Sequence, residues 1–70
     1  MLNPVNRRIL IKKLRKIEFI GPFPATRHEY MKRSSQKIFI PNPHGKDIGI
    51  PLLKRTIKQV GISEKNFKEL

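Results

Sequence analysis

The sequence predicts an α+β domain, a two-layer α-β-β-β-α sandwich followed by a short C-terminal helix. Apolar residues recur at helical spacing near both ends of the chain, and β-branched and aromatic residues cluster between them. Six prolines and four glycines mark the boundaries of these segments. Seventy residues form a single domain, residues 1–70. Both main helices are expected to cover one face of the sheet and to leave the other face open.

The first helix is predicted from about Pro4 to Glu18, with Asn3 or Asn6 as its N-cap. At about 100° per residue, one half of the helical wheel is apolar. The residues on that half are Val5, Ile9, Leu10, Leu14 and Ile17. Basic residues occupy the other half, and Ile11 alone departs from the pattern.

The sheet is predicted to consist of one further strand and a hairpin. Phe19–Pro24 is rich in β-branched and aromatic residues, and its prolines confine it to an edge or a bulged entry. Gly21 supplies a backbone angle that a side chain would resist. The hairpin has a first arm, Ala25–Lys32, and a second arm, Lys37–Ile40, joined by the polar turn Arg33–Gln36. Two prolines beyond the second arm prevent it from continuing as an interior strand.

Strand alternation in the first arm places His28, Tyr30 and Lys32 on one face of the sheet. The other face receives the intervening residues, Arg27, Glu29 and Met31. In the second arm Ile38 and Ile40 share a face, and Phe39 points the opposite way. All four phenylalanines, Phe19, Phe23, Phe39 and Phe67, are nevertheless assigned to the core. An imidazole on a rigid strand beside an arginine is the most chemically suggestive feature, so we predict the active site there.

The last third of the chain predicts two helices. Pro51 suits a first helical turn, and an apolar stripe follows it at Leu52, Leu53, Ile57 and Val60. Gly61 stands where a helix C-terminus favours glycine. Ser63 can cap the final helix, Glu64–Leu70. The preceding loop carries His44 and Lys46.

The charge indicates the class of partner. Sixteen Lys and Arg against five Asp and Glu give +11, and nucleic acid is the default partner of so basic a domain. The basic helix has no tryptophan and needs its apolar side for the core, which argues against a membrane surface. The longest apolar run near the N-terminus is Ile9–Ile11, too short for a signal peptide or a membrane span, so we expect a cytoplasmic protein. With no cysteine and scattered histidines and carboxylates, neither a metal nor another cofactor is expected.

Two stretches together resemble one known family. They are EFIGPFPATRHEYM, residues 18–31, and KIFIPNPHGKDIGIPLLKRTIKQVGISEKNF, residues 37–67. In their order and separation they are similar to the HicA-type toxins of bacterial and archaeal toxin–antitoxin systems. The likeness extends from Leu10 to Phe67, and it is the ordered set of motifs rather than any one of them that is specific.

The resemblance implies an mRNA interferase with a fold like a double-stranded RNA-binding domain and one catalytic histidine. By motif position that histidine is His28, with Tyr30 at the family's usual aromatic site. It also implies a HicB-type antitoxin that folds over the toxin to form a hetero-oligomer. This sequence departs from the family pattern at Ala25 and Thr26, where glycine-type residues are usual, and at Glu29, where many members carry a second histidine.

The residues support RNA cleavage independently of the family. The reaction needs a base to take the 2′-hydroxyl proton, an acid to protonate the leaving oxygen, and cations near the phosphate. Because histidine changes protonation state near neutral pH, it suits either proton role. The cations proposed to contact RNA are Arg27, Lys32, Lys12, Arg15 and Lys46, with Tyr30 available for base stacking. His44 or water remain open for the second proton role. Two alternatives stand: a noncatalytic RNA-binding module of the same fold, and a small basic ribosome-associated protein.

Overall fold

The computed structural model describes residues 2–41, 45 and 47–70. The elements in chain order are β1 (Val5–Asn6), α1 (Arg7–Lys16), β2 (Ile20–Phe23), β3 (Tyr30–Arg33), β4 (Gln36–Phe39), β5 (Asp47–Ile48), α2 (Ile50–Val60) and α3 (Glu64–Glu69). The predicted α-β-β-β-α order with a short C-terminal helix is therefore confirmed. The antiparallel pair of β1 with β5 is an addition that the sequence did not predict.

Helix α1 begins three residues later than predicted because the preceding segment is extended. Val5 and Asn6 form the β1 ladder with Ile48 and Asp47. Asn6 is the N-cap, and its side-chain oxygen accepts a hydrogen bond from the Ile9 backbone N–H at 2.8 Å. Of the two predicted N-caps, the structure thus selects Asn6.

The buried side of α1 also differs from the predicted one. Leu10, Ile11 and Leu14 are buried, whereas Ile9 is 38% exposed. The predicted face included Val5, but Val5 lies in β1 and does not define the helix. When Val5 is left out, the apolar stripe of α1 centres on the side that includes Ile11. Ile11, which did not fit the predicted helical wheel, therefore belongs to the core.

The three-stranded sheet has the order β2-β3-β4 and is antiparallel throughout. Arg33 pairs with Gln36 across the two-residue turn Ser34-Ser35, which confirms the predicted turn. Strand β2 is irregular between Ile20 and Phe23. Gly21 has a φ of +121° there, and a Cβ at this position would lie 3.0 Å from the Tyr30 carbonyl oxygen. Only glycine fits this bend.

The hydrophobic core lies between one face of the sheet and the helices. Its residues from the sheet layer include Met31, Ile38 and Ile40, and those from the helices include Leu10, Leu14, Leu53, Ile57 and Phe67. Phe19 and Phe67 are buried as predicted. The assignment of Phe39 and Phe23 to the core was wrong: Phe39 is 54% exposed and Phe23 is half-buried. Because Ile38 faces the core, strand alternation turns Phe39 to the open face.

The predicted signals for the end of α2 and for the start of α3 are confirmed. Gly61 has left-handed backbone angles, with φ +88°, and terminates α2. The Ser63 hydroxyl accepts a hydrogen bond from the Asn66 backbone N–H at 3.0 Å and starts α3. In the described part of the chain, none of the helices combines the length and apolar character needed to cross a membrane.

Candidate functional site

His28 lies in the loop between β2 and β3, which corrects the prediction that a strand carries it. The predicted first arm began at Ala25, but β3 begins at Tyr30, and residues 26–28 form a bend. Strand alternation therefore does not apply to His28, Arg27 or Glu29. The physical reason is that β2 pairs with β3 only as far as Phe23 opposite Tyr30, after which the chain has to turn around Pro24.

Glu29, which follows His28, is nonetheless joined to two other parts of the fold, once through its backbone and once through its side chain. The Glu29 carbonyl oxygen accepts a hydrogen bond of 2.8 Å from the backbone N–H of Ile40, just beyond β4. The Glu29 carboxylate forms an ion pair with the guanidinium of Arg7 at the start of α1. Both charged side chains are partly exposed, at 31% and 43%, so the pair stabilises the fold by at most about 1 kcal/mol. It links the end of the loop that carries His28 to the start of α1.

The structure brings His28 and Arg27 to the same surface depression. Both residues line an open depression of about 360 Å³ together with Ala25, Thr26 and Phe39. Alternation had placed the two side chains on opposite faces, and the bend at residues 26–28 removes that separation. A guanidinium and an imidazole thus border one concavity.

A second, smaller depression of about 260 Å³ also borders His28. Its walls are His28, Phe39, Ile40, Pro41 and Leu52. Phe39 is shared by both depressions, so the histidine loop adjoins the open face of the sheet at Phe39.

The open sheet face carries a row of three rings, Phe23, Tyr30 and Phe39, which we call the aromatic row. Ring centroids of Phe23 and Tyr30 are 5.5 Å apart, and those of Tyr30 and Phe39 are 6.1 Å apart. The Lys37 ammonium lies 4.4 Å from the Tyr30 ring centroid, a cation–π contact that at an exposed site contributes about 0.5–1 kcal/mol. Lys32 pairs with Lys37 across β3 and β4, so two lysines border the row.

Sequence reasoning anticipated only part of this face. It placed Tyr30 and Lys32 together there, as the structure does. It missed Phe23, Phe39 and Lys37. The sequence does carry a signal for Phe39, because alternation from Ile38 places Phe39 on the face opposite the core.

A basic groove runs along α1. It has a volume of about 650 Å³ and is lined by Arg7, Arg8, Ile11, Lys12, Arg15 and Pro22. The two α1 residues predicted to contact RNA, Lys12 and Arg15, both lie in it. Arg15 has a structural role as well, because its Nε and Nη2 donate hydrogen bonds of 3.1 and 2.7 Å to the Gly21 carbonyl oxygen. Lys12 and Arg8 are exposed and more available to a ligand.

Two predicted site residues, His44 and Lys46, lie outside the described residues. Within residues 2–41, 45 and 47–70, no three His, Cys, Asp or Glu side chains are grouped so that they could hold a metal ion. In comparisons with known proteins, no family model matched this chain and no curated protein matched it.

Proposed function

We propose that this protein is an endoribonuclease that cleaves mRNA by histidine acid–base catalysis without a metal ion, as the toxin of a toxin–antitoxin pair. One observation carries the proposal: His28 and Arg27 border the same depression, at the end of an exposed aromatic and basic sheet face. The resemblance to HicA-type toxins points to the same histidine. The net charge of +11 supports a polyanionic substrate.

In the proposed reaction the 2′-hydroxyl oxygen attacks the adjacent phosphorus, and the bond from phosphorus to the 5′ oxygen breaks. His28 takes the 2′-hydroxyl proton or, in its protonated form, donates a proton to the departing 5′ oxygen. The Arg27 guanidinium can donate two parallel hydrogen bonds to the non-bridging phosphate oxygens. Water or His44 performs the remaining proton transfer. The products are a 2′,3′-cyclic phosphate and a 5′-hydroxyl.

A second candidate, the noncatalytic RNA-binding module, is favoured by a different observation. The aromatic row, its two lysines and the basic groove on α1 provide stacking surface and phosphate contacts that need no imidazole. In that case the protein would bind RNA as it does in the first candidate, but no bond would break.

The two candidates are separated by incubating the purified protein with mRNA in the presence of a metal chelator. We expect cleavage, with the 5′ fragment ending in a 2′,3′-cyclic phosphate, because the attacking oxygen is the RNA's own 2′-hydroxyl. The control is RNA of the same sequence with 2′-O-methyl groups, which should bind and remain intact. Binding without cleavage of the unmodified RNA would favour the noncatalytic module.

We further propose that a cytoplasmic antitoxin of acidic character covers His28 and the open sheet face. A ribonuclease of charge +11 would bind RNA wherever it met it, and a partner bearing Asp and Glu would associate quickly and exclude RNA. The expected result is a stable hetero-oligomer with the product of the adjacent reading frame, in which RNA cleavage stops. His28 should also be protected from a histidine-modifying reagent, with the modified peptide identified by mass so that His44 is distinguished. A complex that leaves His28 reactive and RNA cut would contradict this mode of regulation.

A further inference from the structure

We infer that the aromatic row of Phe23, Tyr30 and Phe39 is a stacking platform for unpaired bases, so that the substrate of this protein is single-stranded RNA. This inference deepens the proposed function and rests on it for the identity of the ligand. It adds Phe23, Phe39 and Lys37 to the two residues of this face, Tyr30 and Lys32, that the sequence already predicts to contact RNA.

The rings are not required by the core. Met31 and Ile38 fill the buried face of the same two strands and are at most 1% exposed. Phe39 remains 54% exposed although it is a large apolar side chain. The three rings follow one another on one sheet face, with neighbouring centroids 5.5 and 6.1 Å apart and ring planes inclined to each other by 38° and 61°. Phe39 is exposed and the other two rings are half-buried. Neighbouring rings at a protein surface are where successive bases of a single strand stack.

Paired RNA does not fit such a surface. In a duplex the base faces are stacked on one another and are not accessible to side chains on a sheet surface. Only bases that have left a helix can lie against Phe39 or Tyr30. The platform therefore selects loops, unpaired regions and single strands.

Charge favours a nucleic acid as the occupant of this face. Lys32 and Lys37 border the rings, as the phosphates of a stacked strand require. The Lys37 ammonium lies over the Tyr30 ring. A stacked base contributes more binding free energy than an exposed cation–π contact. The base therefore displaces the ammonium, and Lys37 is then available to bind a phosphate. A second copy of this chain would be repelled, because each copy carries +11.

The position of Phe39 connects the platform with the proposed chemistry. Phe39 lines both depressions that His28 borders. A base stacked on Phe39 therefore brings its own backbone to the histidine loop.

The chain offers a direct probe, since Tyr30 is its sole tyrosine and it has no tryptophan. Intrinsic fluorescence thus reports on the middle of the aromatic row. The wild-type protein is titrated with a 2′-O-methyl oligouridylate, which it cannot cut, and with an abasic chain of the same length and charge. After correction for absorption by the bases, we expect the oligouridylate to quench Tyr30 and to bind roughly 5- to 100-fold more tightly than the abasic chain. A 2′-O-methyl duplex should bind more weakly than the single strand.

Two variants with matched exposure complete the test. Phe39 and Ile20 are each 54% exposed, and both lie on the open face. Phe39→Ala should weaken oligouridylate binding roughly tenfold and leave abasic binding unchanged, whereas Ile20→Ala should change neither. Equal binding of the two oligonucleotides, preference for the duplex, or equal losses in both variants would each overturn the platform.

The readouts keep this inference distinct from the proposed function. RNA cleavage without base-dependent quenching would refute the platform and leave the ribonuclease standing. Base-dependent quenching without cleavage would support the platform and refute the ribonuclease.

Discussion

Replacing His28 with alanine is expected to lower the rate of RNA cleavage by about 10²–10⁴-fold, the contribution of a positioned acid or base. The fold should persist because His28 is an exposed loop residue whose truncation opens no cavity in the core. RNA affinity should also persist, because the aromatic row and the basic groove are unchanged. The measurement is single-turnover cleavage, with affinity and thermal unfolding followed on the same preparations.

Thr26 provides the matched control for this variant. It lies in the same bend, is exposed, and lines the same depression, but it does not titrate near neutral pH. Thr26→Ala should therefore alter cleavage far less than His28→Ala. A loss smaller than about tenfold in His28→Ala would remove His28 from proton transfer.

Replacing Leu53 with alanine is expected to lower the free energy of unfolding by about 2–5 kcal/mol. Leu53 is fully buried in α2 and belongs to the core cluster that joins the helices to the sheet. A domain of this length has a total stability of roughly 4–10 kcal/mol, so this one side chain decides whether the protein stays folded under mild denaturing conditions. Urea unfolding monitored by circular dichroism measures the difference.

The adjacent residue is the control for the core variant. Leu52 has the same side chain in the same helix but is 37% exposed, beside the His28 loop. Leu52→Ala should cost less than about 1 kcal/mol, since little apolar surface returns to water. If both variants unfold at the same urea concentration, the buried face of α2 is not the one described.

Features with local causes can be predicted from the sequence alone. Gly61 ends α2 because the left-handed conformation suits glycine, and Ser63 begins α3 because its hydroxyl satisfies a backbone N–H three residues on. The turn at Ser34-Ser35 follows from a polar pair between two β-forming arms. Each of these signals acts between residues that are close in the chain, so composition and spacing are sufficient to predict it.

The shape of the candidate site depends on contacts between segments that are far apart in the chain. His28 was predicted from its residue type and neighbours, but its place in a loop depends on where β2 stops pairing with β3. The Arg7–Glu29 ion pair and the β1–β5 ladder join residues far apart in the chain. Alternation within β4 already places Phe39 on the face opposite to that of Ile38, but the helices pack on the Ile38 face, and that packing leaves Phe39 in solvent. Where a strand ends, and which of its faces is exposed to solvent, depends on the distant segments that pack against it. The residue pattern within one strand does not specify those segments.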